Sequence, residues 1–242
     1  MKGGVIAIDG PSASGKSSTA RAVAETLGFA HLDSGSLYRG VTLVAMREAA
    51  RRGATGDPLD VLDPESILRA AEDRGLMLQP DGAGFAAYLE GVPVDDEIRG
   101  PEITARVSAV SAVPVIREWI NSRLRAMVRT GRDVVVDGRD IGTVVFPDAD
   151  LKIFLTASPE ARAERRITQR GYLADAPRLE AEAAALAARD RADSSRAVAP
   201  LRAASDAVPL DTTTLSFAQQ VQFIVELARP IFGRGYPPGS QR

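Results

Sequence analysis

The segment Gly10-Pro-Ser-Ala-Ser-Gly15-Lys16-Ser17 holds two glycines, a lysine and a hydroxyl at the spacing G-x-x-x-x-G-K-[ST]. That spacing suits a loop whose backbone N–H groups wrap a phosphate chain, with glycine wherever a side chain would collide with the anion. Gly10, Ser12, Ala13, Ser14, Gly15, Lys16, Ser17 and Ser18 are the residues expected to touch the polyphosphate. Lys16 would neutralise the β- and γ-phosphates, and the N-terminus of the following helix adds a favourable dipole. Ser17 is the expected Mg2+ ligand. Ser18 and Thr19 stand beside it and also offer hydroxyls. A second feature is Val134-Val135-Val136-Asp137, an apolar strand ending in a carboxylate. Next to a phosphate loop, such a carboxylate helps position the magnesium.

These groups need a scaffold, and the hydropathy pattern supplies one. The run at 5–9 reads as a buried strand, 16–27 as a helix stopped by Gly28, 30–33 as a second strand, and 36–52 as a second helix. Strand, helix, strand, helix predicts an α/β fold of three layers around a central parallel sheet. Asp63-Pro64 opens a helix reaching 74, and 76–94 reads as a β meander with turns at Asp81-Gly82 and Gly91. Residues 55–100 are therefore expected to be a small insertion in a core made of 1–54 and 101–230. Further helices are predicted at 103–113, 115–129, 159–169, 179–193 and 216–228, with strands at 133–137, 151–156 and 207–210. The tail 233–242, rich in Gly and Pro, is expected to be flexible.

Composition narrows the function. The 242 residues carry 30 basic and 32 acidic side chains, a net charge of -2. A balance so close to neutral argues against a broad nucleic-acid surface. The chain has no cysteine, which excludes disulfides, thiolate catalysis and cysteine-bound zinc. No apolar stretch is long enough to span a membrane and no secretory signal is visible, so a cytoplasmic monomer without membrane or nucleic-acid partners is expected. Lys2, Lys16 and Lys152 are the only lysines, leaving 27 arginines. Coding bias explains such a ratio, and so does placement of arginines on phosphate, for which a planar fork of donors is well suited. The one asparagine, Asn121, is followed by Ser122, so the N-K-x-D element of guanine-nucleotide switches is absent. The size and the central insertion favour a small-molecule phosphotransferase.

Asp33-Ser-Gly-Ser-Leu-Tyr38-Arg39 follows the second strand. Together with 98–117, with Asp137-Gly-Arg-Asp-Ile-Gly-Thr-Val-Val-Phe-Pro-Asp148 and with 189–201, it makes the chain resemble the bacterial cytidylate kinase family over nearly its whole length. The resemblance implies ATP-dependent phosphorylation of CMP and dCMP with Mg2+, on the P-loop nucleoside monophosphate kinase fold. In that fold 55–100 would be the inserted NMP-binding domain and 159–178 a mobile helical lid. It implies that Ser34, Arg39, Arg139 and Arg196 surround the acceptor and its phosphate, with Tyr38 in the same monophosphate-binding segment. Ser108, Arg117 and Asp140 would read the cytosine edge, and Arg189 and Asp193 would act around ribose and phosphates. Cytosine presents an amino donor beside two acceptors, so a reader needs both an acceptor and a donor, which Asp140, Ser108 and Arg117 provide.

Arg189, Asp193 and Arg196 recur at i, i+4 and i+7, one face of a helix. An exposed salt-bridge ladder would show the same spacing. Arg162, Arg165, Arg166 and Arg170 cluster on the presumed lid, where interleaved Glu160 and Glu164 would equally suit a solvated helix. Lys16, Arg139, Arg162, Arg166 and Arg196 are the expected catalytic groups, because phosphoryl transfer depends on alignment and charge neutralisation. The acceptor is already an anionic oxygen and needs no general base, so the lone His31 is expected to be structural. A kinase of the same fold acting on UMP, AMP or shikimate, and a regulatory module that binds ATP without turnover, are the alternatives.

Overall fold

The structure is a computed structural model that describes residues 3–54, 56–82, 84–129 and 131–233. The tail expected at 233–242 therefore lies outside the described residues from 234 onward. In chain order the elements are β1 (Val5–Asp9), α1 (Lys16–Leu27), β2 (Ala30–Asp33), α2 (Ser34–Arg51), α3 (Pro58–Val61), α4 (Pro64–Asp73), β3 (Met77–Asp81), β4 (Gly84–Leu89) and β5 (Val92–Pro93). There follow α5 (Asp95–Ile98), α6 (Pro101–Val110), α7 (Pro114–Val128), β6 (Val134–Gly138), a π-helical turn (Ile141–Val145), β7 (Leu151–Thr156), α8 (Pro159–Gln169), α9 (Ala176–Ser194), β8 (Val208–Asp211) and α10 (Phe217–Phe232).

One sheet runs β3-β4-β2-β6-β1-β7-β8, with β5 on β4. Strands β2, β6, β1, β7 and β8 are mutually parallel, the order expected of an α/β fold. Residues 55–100 contribute α3 to α5 and β3 to β5, and β4 pairs in parallel with β2 at His31 and Gly84. This segment thus continues the central sheet at its edge.

Alternation along the strands explains the three layers. Val5 and Ala7 of β1, with Val134 and Val136 of β6, face one core against Val41, Ile67, Val107 and Ile120 of α2, α4, α6 and α7. Ile6, Ile8 and Val135 point the other way, against Val23 of α1 and Ile224 of α10. A strand buried on both faces reads as a continuous apolar run, which is why β1 and β6 stand out in the sequence. Each fully buried aliphatic side chain contributes about 1.5–3 kcal/mol.

Several helices start on side-chain caps. Asp33 accepts from the Gly35 amide at 2.9 Å, so α2 begins at Ser34, two residues earlier than its hydropathy suggests. Among the described residues no helix is long and apolar enough to cross a membrane.

Gly10 closes β1 where the chain passes the β7 backbone. A Cβ there would stand 2.0 Å from the Leu155 carbonyl oxygen. Gly10→Ala is accordingly expected to cost about 3 kcal/mol through backbone displacement. For a chain of this size that lowers the thermal midpoint by roughly 6–12 °C. A midpoint within about 2 °C of wild type would contradict the close approach.

Candidate active site

The phosphate loop joins β1 to α1. Gly15 (φ 94°) and Ala13 (φ 58°) take left-handed conformations that turn the chain into the first helical residue, Lys16. The Lys16 ammonium is buried and donates to the Pro11 carbonyl at 2.7 Å. Burial first, then the neighbouring Arg139, push its pKa down to about 7. Asp137 and Asp9 offset this only in part, and a polyphosphate would add counter-charge. Ser17 donates its hydroxyl hydrogen to Asp137 Oδ2 at 2.5 Å. Burial raises the Asp137 carboxyl, but hydrogen bonds from His31 and Ser17 and the charge of Lys16 outweigh it, holding it below the usual carboxylate range.

Side chains of two later helices bind the backbone of this loop. Asp190 of α9 accepts from the Ser12 amide at 3.0 Å and also pairs with Arg162 of α8. Arg162 in turn donates to the Ser12 carbonyl at 3.1 Å. Arg165 reaches the Ser14 carbonyl at 3.3 Å and the Thr212 hydroxyl at 2.9 Å.

Across a cleft of about 570 Å3 stands a set of arginines. Its walls carry Lys16, Arg39, Arg99, Arg117, Arg139, Arg165, Arg166, Arg189 and Arg196 against Asp33, Asp137, Asp140 and Asp193. Although the whole chain is slightly acidic, the cleft is thus strongly basic and suited to anions. Asp193, almost wholly buried, ties Arg139 at 3.0 Å and also pairs with Arg196. Arg196 further donates to Ser111 Oγ at 2.8 Å. Arg39 is held by the Ile98 carbonyl and the Thr104 hydroxyl at 3.1 and 2.8 Å, and burial pushes its pKa down to about 10. Arg189 is lowered to about 10 as well, mainly by burial and then by Arg139. Both values lie far above neutrality, so both arginines remain charged.

Arg117 and Asp140 form a buried ion pair on the cleft wall, and Arg117 also donates to the Ser111 carbonyl at 2.9 Å. The Arg117 guanidinium lies 5.4 Å from the Tyr38 ring centre. Arg117 Nε and the Tyr38 hydroxyl are buried without a hydrogen-bond partner among the described residues. Arg189 Nε, on another cleft residue, is likewise buried without a partner among the described residues, and such unpaired buried atoms are rare.

Asp9, at the end of β1, accepts the amides of Ile141 and Gly142 at 2.8 and 2.7 Å and so fixes the π-helical turn that follows Arg139 and Asp140. Burial pushes its pKa up to about 6 despite those two bonds. The folded state then binds this proton more tightly than the unfolded chain, so stability from this group falls as pH rises from about 4 to about 6. Against an Asp9→Asn variant, wild type is expected to lose about 3 kcal/mol over that window in urea unfolding without nucleotide. A pH-independent difference between the two proteins would contradict this.

Of the residues expected from sequence, the cleft walls include Ser12, Ala13, Gly15, Lys16, Ser17, Ser18, Ser34, Tyr38, Arg39, Arg117, Asp137, Arg139, Asp140, Arg166, Arg189, Asp193 and Arg196. Gly10, Ser14, Ser108 and Arg162 do not line it. Ser111, one helical turn beyond Ser108, lines it instead, and Arg162 binds the phosphate loop at the Ser12 carbonyl. Arg170, the fourth presumed lid arginine, pairs with Glu182 of α9 at 2.6 Å. Arg99, Arg165, Phe217 and Gln220 also line the cleft. Arg165 carried a signal in its spacing and Arg99 lies in the 98–117 segment that carries the resemblance, whereas Phe217 and Gln220 sit in motif-free sequence.

Comparison with known proteins bears on the family of the chain. The sequence profile of the cytidylate kinase family matches residues 6–230. A cytidylate kinase of Mycolicibacterium paratuberculosis is 44% identical over 93% of this chain and 95% of its own length. One from Geobacillus kaustophilus is 42% identical over 94% and 97%. Among solved structures, a gluconokinase of Sinorhizobium meliloti shares 20% identity over 96% of each chain at a TM-score of 0.40, too slight a likeness to bear on the assignment. The profile match and the two relatives together span the phosphate loop, the arginine-lined cleft and nearly everything between, and the chain belongs to the cytidylate kinase family.

Proposed function

We propose that the cleft transfers the γ-phosphoryl group of ATP to the phosphate of CMP or dCMP, giving ADP and CDP or dCDP. The observation that carries this reading is that one cleft is lined both by the Lys16 loop and by Arg39, Arg139, Arg189 and Arg196. The loop would hold the donor's phosphates and the arginines the acceptor's, with their reacting oxygens brought into line.

Each residue's part follows from its position. Lys16 would draw charge from the β- and γ-phosphates, and Arg139, Arg189 and Arg196 would offset the acceptor phosphate. Asp193 keeps two of these arginines in place. The unpartnered Arg117 Nε would donate to a cytosine acceptor, and Asp140 would accept from the cytosine amino group. Tyr38 offers a further donor. Arg99 of the 55–100 segment pairs with Asp33 at 3.1 Å, which brings that segment to the acceptor side and supports its role in binding the monophosphate. Segment 159–178, which contains α8, would act as the lid through Arg165 and Arg166, excluding water that would otherwise hydrolyse ATP. A monomer working on small nucleotides in the cytoplasm completes the reading.

Mg2+ fits the residues present. Ser17 Oγ and the Asp137 carboxylate form an all-oxygen donor set, and Mg2+ commonly takes one or two carboxylates with phosphate oxygens and water. When bound with ATP, the ion would neutralise charge across the β- and γ-oxygens.

Incubation with ATP, Mg2+ and CMP is expected to release ADP and CDP in equal amounts. Tight ATP binding with no acceptor-dependent ADP release would instead identify a regulatory module.

A further inference from the structure

His31 is the chain's only histidine. It stands on β2 opposite Val135 of β6, so its side chain shares the α1-facing side of the sheet with Val135 and, two residues on, Asp137. It is buried, and its ring Nε2 lies 2.8 Å from Asp137 Oδ1. An ionised carboxylate only accepts, so the ring nitrogen must carry the hydrogen. The other oxygen, Oδ2, accepts the Ser17 hydroxyl at 2.5 Å. Both oxygens of Asp137 are therefore committed, one to β2 and one to the phosphate loop. With its hydrogen turned toward Asp137, Ser17 has its oxygen lone pairs left over for the cleft. His31 itself does not line that cleft.

We infer that His31 is a positioning residue: by holding Oδ1 it fixes the Asp137 carboxylate so that Oδ2 receives the Ser17 hydrogen and the Ser17 oxygen faces the cation of the bound nucleotide. The inference rests on the assignment of Ser17 and Asp137 to Mg-ATP. An apolar residue would fill the same space under α1 but would leave Oδ1 without a donor and the carboxylate free to rotate. Partners that orient a ligand in this way typically change metal affinity by about 10- to 100-fold when removed. A glutamine, whose amide can donate from a similar distance, should preserve the arrangement.

The test compares wild type with His31→Leu and His31→Gln in the full chain without a polyhistidine tag. Binding of a non-hydrolysable ATP analogue is titrated with and without Mg2+, and thermal unfolding confirms that each protein is folded. His31→Leu is expected to lose the Mg2+ enhancement of binding by about tenfold or more, with metal-free binding unchanged, whereas His31→Gln stays within about threefold of wild type. Equal enhancement in all three proteins, or equal loss in both variants, would overturn the inference. Because the imidazole is unique, its 15N NMR signal in wild type gives a second readout that does not depend on the variants folding. It should show hydrogen on Nε2 and move when Mg2+ is added to the analogue complex; a signal without that hydrogen, or one that Mg2+ leaves unmoved, would overturn it too. Neither readout involves an acceptor, so failure of CMP phosphorylation would refute the proposed reaction without deciding the role of His31.

Discussion

Lys16→Ala is expected to lower kcat for CMP phosphorylation by about 100-fold or more, the scale seen when one preorganised group that stabilises developing charge is removed. The ammonium is buried, donates to the Pro11 carbonyl and is depressed to about 7, mainly by burial. Holding a charge there costs the folded protein stability, so its removal should not lower the thermal midpoint. The two readouts together separate function from folding. Retention of more than about a tenth of kcat would contradict the role of Lys16, since even one tenfold step equals only about 1.4 kcal/mol of transition-state stabilisation.

The second large effect concerns the buried pair of Arg117 and Asp140. Truncating either partner to alanine leaves its opposite charge buried and alone, which typically costs about 3–5 kcal/mol of stability. It should also blunt the choice of base. Uracil replaces the cytosine amino donor by a carbonyl, and one buried mismatch is worth on the order of 1–3 kcal/mol. Loss of that discrimination should reduce the CMP/UMP ratio of kcat/KM by roughly 10- to 100-fold. Arg117→Lys and Asp140→Asn serve as milder companions if the alanine variants unfold. An unchanged CMP/UMP ratio in every variant would show that these residues hold the cleft wall and do not read the base.

The phosphate loop and the strands flanking it were legible because the information is local. Val5 to Asp9 and Val134 to Asp137 are apolar runs closed by a carboxylate, and the loop's spacing is self-contained. The arginine set assigned to the acceptor came from motif resemblance, and helical spacing alone favoured a surface ladder for Arg189, Asp193 and Arg196. What sequence could not show are contacts between distant segments. The turn at Ile141–Val145 is π-helical because Asp9, more than a hundred residues earlier, holds two of its amides. Arg162 shares the lid spacing of Arg166, yet it pairs with Asp190 on the next helix and donates to the Ser12 carbonyl, and it does not line the cleft. Ser111 replaces Ser108 at the cleft because α6 ends at Val110 and Ser111 caps it, turning toward Arg196. The arginine excess divides in the same way: eight arginines line the cleft, and the remainder need no phosphate to explain them.

The most direct test of the proposed reaction is a coupled assay of ADP release with ATP and Mg2+, run across CMP, dCMP, UMP and AMP as acceptors. CMP and dCMP are expected to give the highest kcat/KM, with UMP lower by at least about tenfold, as one buried polar mismatch requires. A value for UMP or AMP equal to that for CMP, or no acceptor-dependent ADP release at all, would contradict it.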